Sequence, residues 1–420
     1  MRIIDLFAGL GGIRKGLELA LDDRGIEHEC VFTSEIKPHA ITVLRQNHPN
    51  EQIHGDITQI QSEEIPDFDI LCAGFPCQAF SYAGKRLGFA DTRGTLFFDV
   101  ERIIKDKRPR GFILENVEGL VSHDKGKTFR VIITHLQELN YHVSYRILNS
   151  RDFGIPQDRK RIYIVGSLFE EPNLEDFPVI HNNLSSILEK NQPISKTKFT
   201  KLLLSKYKVE DLYGKSIKDK RGGEDNIHSW DLGIKGRVTK RQKQLLNAML
   251  KERRKKKWAQ RYGIEWMDGM PLTIEFIQEF FEDKRLQEML DDLVDKGYLV
   301  YEHPKKVVFE PVRHREQDES LPKGYNIVAG KLSFEVNKIL DPNSIAPTLV
   351  AMDMQKLYVP DNDGIRKLTI REGLSLFGYP EDFIMDLPEK EAFDLLGNTV
   401  AVPVIKAVAE RLIDTFNEIN

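Results

Sequence analysis

A chain of 420 residues, 40% of them hydrophobic, can bury a large core and is long enough for two or three domains of about 100–200 residues. A net charge of −4 and a pI near 6.3 exclude a protein coated in basic surface, so any contact with nucleic acid must come from local patches. Three cysteines, Cys30, Cys72 and Cys77, are too few for a disulfide framework or a zinc site, no stretch approaches the roughly 18 uninterrupted apolar residues of a membrane span, and Met1 runs straight toward a strand rather than a leader, so a reducing cytoplasm is the expected setting.

In chain order, β-branched or apolar runs at residues 3–7, 30–34, 68–73, 111–114 and 162–165 alternate with helical patterns at 11–21, 37–47, 98–107 and 128–139. That succession predicts an α/β fold on a doubly wound, mostly parallel sheet, whose ligands sit beyond the carboxyl ends of the strands. From about 180 the chain turns charged and irregular. Between 235 and 257 eleven Lys and Arg residues stand against one acid, Glu252, which predicts a surface for nucleic-acid phosphates; a solvated helix face is the plainer alternative. Leu286, Met289, Leu290, Leu293 and Val294 mark one helical face, Gly297 ends it, and Tyr298-Leu299-Val300-Tyr301 follows as a strand before His303-Pro304-Lys305-Lys306. This is the order of a winged-helix insert, or of a plain helix and hairpin. After about 345 regular structure returns: Leu368-Thr369-Ile370-Arg371-Glu372 leads into a helix that Gly378-Tyr379-Pro380 ends, and Gly397-Asn398-Thr399-Val400 precedes the apolar Val402-Pro403-Val404-Ile405.

The motifs that carry chemistry fall at predicted strand ends. Asp5-Leu6-Phe7-Ala8-Gly9-Leu10-Gly11-Gly12 is a strand, a glycine turn and a helix start, where the backbone can approach a nucleotide closely. Glu35 closes the second strand, where a carboxylate can accept ribose hydroxyls, and Asp56 follows in Gly55-Asp56-Ile57-Thr58; a helix cap is the alternative for each acid. Gly74-Phe75-Pro76-Cys77-Gln78 puts a cysteine just past the apolar Ile70-Leu71-Cys72-Ala73, a place for a reactive thiolate, whereas Cys72 lies inside a strand and Cys30 begins one. Glu115-Asn116-Val117 ends a later strand, and Gln157-Asp158-Arg159-Lys160-Arg161 comes next; a structural ion pair is the alternative for these charges.

Together, in this order and spacing, the motifs resemble the DNA (cytosine-5) methyltransferase family. The likeness runs over residues 1 to about 168 and again over about 345 to 415, through Arg371-Glu372 and Gly397-Asn398. It implies an S-adenosylmethionine-dependent methyltransferase fold, with a catalytic domain over 1–178 completed by 385–420, and a mixed target-recognition domain and hinge over 179–384. It further implies that Phe7, Gly9, Leu10, Gly12, Glu35, Ile36, Asp56, Ile57, Pro76, Leu96, Asn398 and Val400 line the S-adenosylmethionine pocket, with S-adenosylhomocysteine as product and no metal. Carbon 5 of cytosine is a poor nucleophile until a thiolate adds at carbon 6, so Cys77 is the expected nucleophile. Glu115 then shares a proton with ring nitrogen 3, Arg161 donates to the ring carbonyl and Arg159 positions the site. Carbon 6 is hidden in a stacked duplex, so the base must rotate out, and residues 79–93, with Ser81, Lys85, Arg86 and Arg93, match the loop that closes over it. Lys235, Arg237, Lys240 and Arg241 complete the expected DNA contacts. The expected partner is double-stranded DNA with a short specific site, met by a monomer, with a cognate endonuclease acting separately as in a restriction–modification system.

Two rival readings have discriminating features. RNA cytosine-5 enzymes of the other main class pair two cysteines on neighbouring segments, and the transfer-RNA enzyme sharing these motifs carries Cys-Phe-Thr in its recognition region; here no cysteine follows Cys77. A silent DNA-binding regulator on the same scaffold would not need Cys77, Glu115 and Arg161 together.

Overall fold

The computed structural model describes residues 1–76, 96–219, 226–308, 314–328 and 334–416. Two compact units emerge, one from Met1–Gln192, Asp341–Gln355 and Lys367–Asn420, the other from Pro193–Leu340 and Lys356–Arg366.

The first unit is built on β1 (Arg2–Leu6), α1 (Gly12–Asp22), β2 (Glu29–Ser34), α2 (Pro38–Asn47), β3 (Ile53–His54), β4 (Ile70–Ala73), α3 (Leu96–Lys107), β5 (Gly111–Val117), α4 (Gly119–Ser122), α5 (Lys127–Glu138), β6 (His142–Asn149) and β7 (Lys160–Ser167). Among the described residues these strands form one seven-stranded sheet in the order β3-β2-β1-β4-β5-β7-β6. The pairs from β3 to β5 are parallel, and β7 runs antiparallel to both β5 and β6. The predicted doubly wound sheet is therefore present.

Alternation along the strands divides the core in two. Ile4, Leu6, Leu71, Ala73, Phe112 and Leu114 face α3 and α5, packing on Val100, Ile103, Phe129, Ile132 and Leu136. Ile3, Ile70, Cys72, Ile113 and Val165 face α1 and the last helix of the chain, through Leu17, Leu21, Val404, Ile405, Val408 and Leu412. A Cβ built on Gly16 would lie 2.5 Å from Ile405 Cβ, so glycine is what lets these two helices cross so closely. Gly16→Ala is expected to lower the stability of this unit by about 1–3 kcal/mol through overpacking, read as a lower thermal midpoint. Gly55→Ala serves as the control, because nothing lies within 4 Å of its Cβ position.

Several boundaries differ from the sequence expectation. The first strand stops at Leu6 because Phe7 takes φ 55°, outside the β region. β5 continues past Leu114 to Val117, and β7 spans 160–167 rather than 162–165, since their antiparallel ladder runs on through Glu115↔Tyr163 and Val117↔Arg161. Glu115 and Arg161 thus stand on strands. β6 had no counterpart in the prediction.

In the second unit, α6 (Lys198–Leu204), β8 (Ser216–Ile217) and β9 (Asn226–Ile227) share a core with Ile339, Tyr358 and Ile365 of a sheet formed by β14 (Lys338–Ile339), β15 (Leu357–Asp361) and β16 (Gly364–Lys367). A second core gathers α7 (Ser229–Leu232), α8 (Lys240–Glu252), α9 (Lys256–Tyr262), α10 (Ile274–Gln278), α11 (Leu286–Asp295), β10 (Leu299–Glu302) and β13 (Gly324–Ile327) around Trp230, Leu246, Trp258, Leu290 and Tyr298. The expected helix, glycine and strand are present as α11, Gly297 at φ 73° and β10. β10 pairs antiparallel with β13, whose Tyr325 also bridges Leu272, and β11 (Lys305–Val308) with β12 (His314–Gln317) forms a hairpin between them in sequence. The chain then returns to the first unit through α12 (Ala351–Met354), α13 (Ile370–Ser375), α14 (Glu389–Asn398) and α15 (Val402–Ile413).

Candidate active site

The loop leaving β1 carries three left-handed residues, Phe7, Gly9 and Gly11, at φ 55°, 56° and 71°. For a phenylalanine this costs about 1–3 kcal/mol, and packing of the ring against the core holds it there. A Cβ built on Gly9 meets nothing nearer than the Phe7 carbonyl at 4.0 Å, so open space lies over the turn. Glu35, buried at the end of β2, accepts from the Gly9 amide at 2.7 Å with one oxygen and from the Ile36 and Lys37 amides at 2.8 Å with the other. It clasps the turn to the start of α2, and with about four acceptor positions on a carboxylate, about one remains for a ligand hydroxyl. Beside it Ile36 is 65% exposed, an apolar side chain without cover.

Asp56 accepts from Thr58 N and Oγ1 at 3.0 and 2.9 Å, capping a single turn over Ile57–Gln59, while Ile57 is buried. Leu10 is buried as well. Gly12 meets the returning chain: its Cβ position lies 2.8 Å from Val400 Cγ2 and 2.6 Å from the Tyr379 hydroxyl. Asn398 is exposed at the end of α14 and donates to the Asp394 carbonyl. Pro76 and Leu96 are half-buried at the two borders of residues 77–95. Cys77, Ser81, Lys85, Arg86 and Arg93 lie outside the described residues.

At the carboxyl end of β5, Glu115 Oε1 pairs with Arg161 Nε at 3.1 Å, both side chains being only 11–15% exposed. Burial pushes the Glu115 carboxyl up from the usual carboxylate range, against the pull of the Arg161 and Arg159 guanidiniums. Neighbouring Asn116 donates to the Phe75 carbonyl at 3.2 Å and so ties β5 to the segment leaving β4.

Arg159 is buried and spends its guanidinium on backbone carbonyls, Leu349 at 3.1 Å, Thr399 at 2.6 Å and Gly397 at 3.4 Å, with Phe377 under its face. It touches the structure around the site more than the site itself. Gln157 works the same way, donating to the Leu376 carbonyl and accepting from the Leu349 amide. Asp5 was also missed by sequence reasoning, although it opens the glycine motif. It is fully buried beneath the turn with Oδ2 unpartnered, next to an Arg14 that grips Glu51 and Glu18. Alternation on β1 was the available signal, since Ile3 and Asp5 point to the same inner face. Among the described residues no three His, Cys, Asp or Glu side chains group as metal ligands.

The basic run falls in the second unit. Lys235 donates to the Gly297 carbonyl, and Arg241 pairs with Asp283 at 2.8 Å and lies over Phe281. Arg237 and Lys240 are exposed, with no acidic partner among the described residues.

The family described as C-5 cytosine-specific DNA methylase matches residues 1–414. The Type II methyltransferase M.NlaIV of Neisseria lactamica is 61% identical, over 99% of both chains. M.NgoBV of Neisseria gonorrhoeae is 60% identical over the same shares. The solved structure of the Entamoeba histolytica methyltransferase EhMeth aligns over 100% of this chain and 99% of its own, with TM-score 0.55 at 18% identity, which speaks for the fold alone.

Proposed function

Because the chain belongs to the C-5 cytosine-specific DNA methylase family, we propose that it methylates carbon 5 of a cytosine rotated out of double-stranded DNA at one short site, as the modification enzyme of a restriction–modification system. The observation that carries this reading is the nearly buried Glu115–Arg161 pair, standing where β4 and β5 end and β7 begins. An acid held toward its protonated form beside a fixed cation suits a pyrimidine, which gains negative charge on nitrogen 3 when a nucleophile adds.

The residues around the glycine turn fit S-adenosylmethionine. Open space over Gly9, the remaining acceptor position on Glu35 and the uncovered Ile36 offer backbone, ribose and apolar ring contacts respectively, with Val400 closing the far side against Gly12. Bound there, S-adenosylmethionine would supply an electrophilic methyl group, with S-adenosylhomocysteine as the product. The chain's own work begins with the Cys77 thiolate, whose sulfur bonds to carbon 6 while Glu115 gives its proton to nitrogen 3. The enamine so formed carries electron density to carbon 5, the atom alkylated. Arg161 donates to the ring carbonyl, and Arg159 holds the Gly397–Thr399 segment in place. Loss of the carbon 5 proton to water then expels Cys77, and Glu115 recovers its proton. Ser81, Lys85, Arg86 and Arg93 would close over the rotated base, and the second unit would select the sequence.

A duplex carrying 5-fluorocytosine in the target site should become covalently attached at Cys77, because fluorine cannot leave as the proton does and the sulfur stays bound. Cys77→Ser should give neither adduct nor 5-methylcytosine in a methylation-free host. Methylation by the Cys77→Ser chain at the wild-type level would sink the mechanism.

A further inference from the structure

Sorting the basic run by its ion pairs leaves a specific surface. Lys243 pairs with Asp231, Arg254 with Asp268, Lys255 with Glu252, Lys257 with Glu279, and Arg241 with Asp283. Arg253 is buried against Asn326, and Lys235 is spent on a carbonyl. Arg237, Lys240, Lys251 and Lys256 remain exposed, without an acidic partner among the described residues. Two of them stand on the outer face of α8.

α8 buries Gln242, Leu245, Leu246, Met249 and Leu250. At 100° per residue the opposite stripe is Lys240, Gln244, Asn247 and Lys251, spaced i, i+4, i+7, i+11. This stripe places a cation at each end and two carboxamides between. Gln244 is exposed and accepts from Arg241 at 3.2 Å, while Asn247 is half-buried, with its side-chain oxygen shut away from solvent. The two lysines are about 17 Å apart along the axis, enough for flexible side chains to reach phosphates on both sides of a groove about 12 Å wide. Carboxamides carry a donor and an acceptor on one planar group, the pattern that base edges present there.

The helix pair α10–α11, followed by β10 and β13, has the order in which a second helix ordinarily lies in the groove. Here the outer face of α11 carries Glu288, Asp291 and Asp295, three carboxylates without an ion pair among the described residues that DNA phosphates would repel, beside an Asp292 that pairs with Lys296 at 2.5 Å. That excludes α11 and leaves α8.

Building on the proposed reaction, the geometry points to α8 as the DNA-reading helix, with Lys240 and Lys251 anchoring phosphates and the exposed Gln244 reading a base edge between them. Lys240→Gln with Lys251→Gln in the full chain should weaken binding to a random-sequence duplex and reduce the slope of log K against log salt by about 2, without changing which sequence is methylated. Gln244→Ala should lower 5-methylcytosine at the wild-type site about tenfold, or spread it to near-match sequences, in genome-wide methylation sequencing. Its affinity for the random duplex should stay within about twofold, which also verifies that the variant is folded. Lys255→Gln, whose lysine is already paired, is the control. The inference is overturned by an unchanged salt slope in the lysine variant, by unchanged methylation at the same sequence in the amide variant, or by loss of random-duplex binding in the latter. No 5-methylcytosine from the wild-type chain would instead sink the proposed reaction, and the salt slope would still decide whether α8 lies on DNA.

Discussion

Glu115→Gln should lower kcat by about 10²–10⁴-fold while leaving affinity for DNA nearly unchanged. Glutamine keeps the shape and can still donate a hydrogen bond, but it cannot pass a proton to nitrogen 3, so the loss appears in the chemical step. The pH profile carries independent information. Burial holds the Glu115 carboxyl above its ordinary range, with Arg161 and Arg159 opposing. The acid must be protonated when the sulfur adds, so kcat/KM measured under single-turnover conditions should fall as pH rises through that elevated value. That alkaline limb should be absent in Glu115→Gln. Removing the opposing charge in Arg161→Gln should move the limb to higher pH in whatever activity remains, because Arg161 is what pulls the carboxyl down. A limb that stays in place in both variants would show that another group titrates.

How far these features could be read in advance depends on how local their causes are. The turn from Asp5 to Gly12 was legible because its glycines are needed within a few residues of one another, at φ angles a side chain resists. The inward strands were legible from apolar alternation. β6 was not, because it lies at the sheet's edge and carries Ser144, Tyr145 and Arg146 on partly or fully exposed positions, so its pattern lacks a continuous apolar run. Glu115 and Arg161 looked like strand ends because charged residues usually stand there, yet the β5–β7 ladder continues through them. Arg159 and Gln157 depend on partners such as Leu349, Leu376 and Thr399, some 190 to 240 residues away. Nothing local in the motif announces them. The basic run shows the same limit in electrostatic form. Its apparent charge is cut by Asp231, Asp268, Glu279 and Asp283, acids that lie outside the run and meet it only after folding.

Asp5→Asn should stabilise the protein above neutral pH and flatten its dependence on pH. Asp5 is buried beneath the glycine turn, and desolvation pushes its carboxyl up to about 8; Arg14 opposes this, and Glu18, Glu35 and Glu51 add to it. The unfolded chain would ionise it near the ordinary value of about 3.9. Between those two values the unfolded state has lost the proton that the folded state keeps, so the unfolded state binds fewer protons and stability falls as pH rises from about 4 to about 8, then levels off. The full penalty is on the order of 6 kcal/mol, since each unit of displacement corresponds to about 1.4 kcal/mol. A neutral amide of the same shape has no such proton to lose. Denaturant midpoints from pH 5 to pH 9 should therefore decline in the wild type more steeply than in Asp5→Asn, and the two curves should converge toward low pH, where both side chains are uncharged. The same comparison made on S-adenosylmethionine affinity would show whether the charge reaches the turn above it: Asp5 ionisation should loosen the Phe7–Gly11 loop, weakening cofactor binding at high pH in the wild type but not in the variant. Parallel stability curves for the two proteins would mean that Asp5 stays ionised inside the fold, with Arg14 outweighing burial.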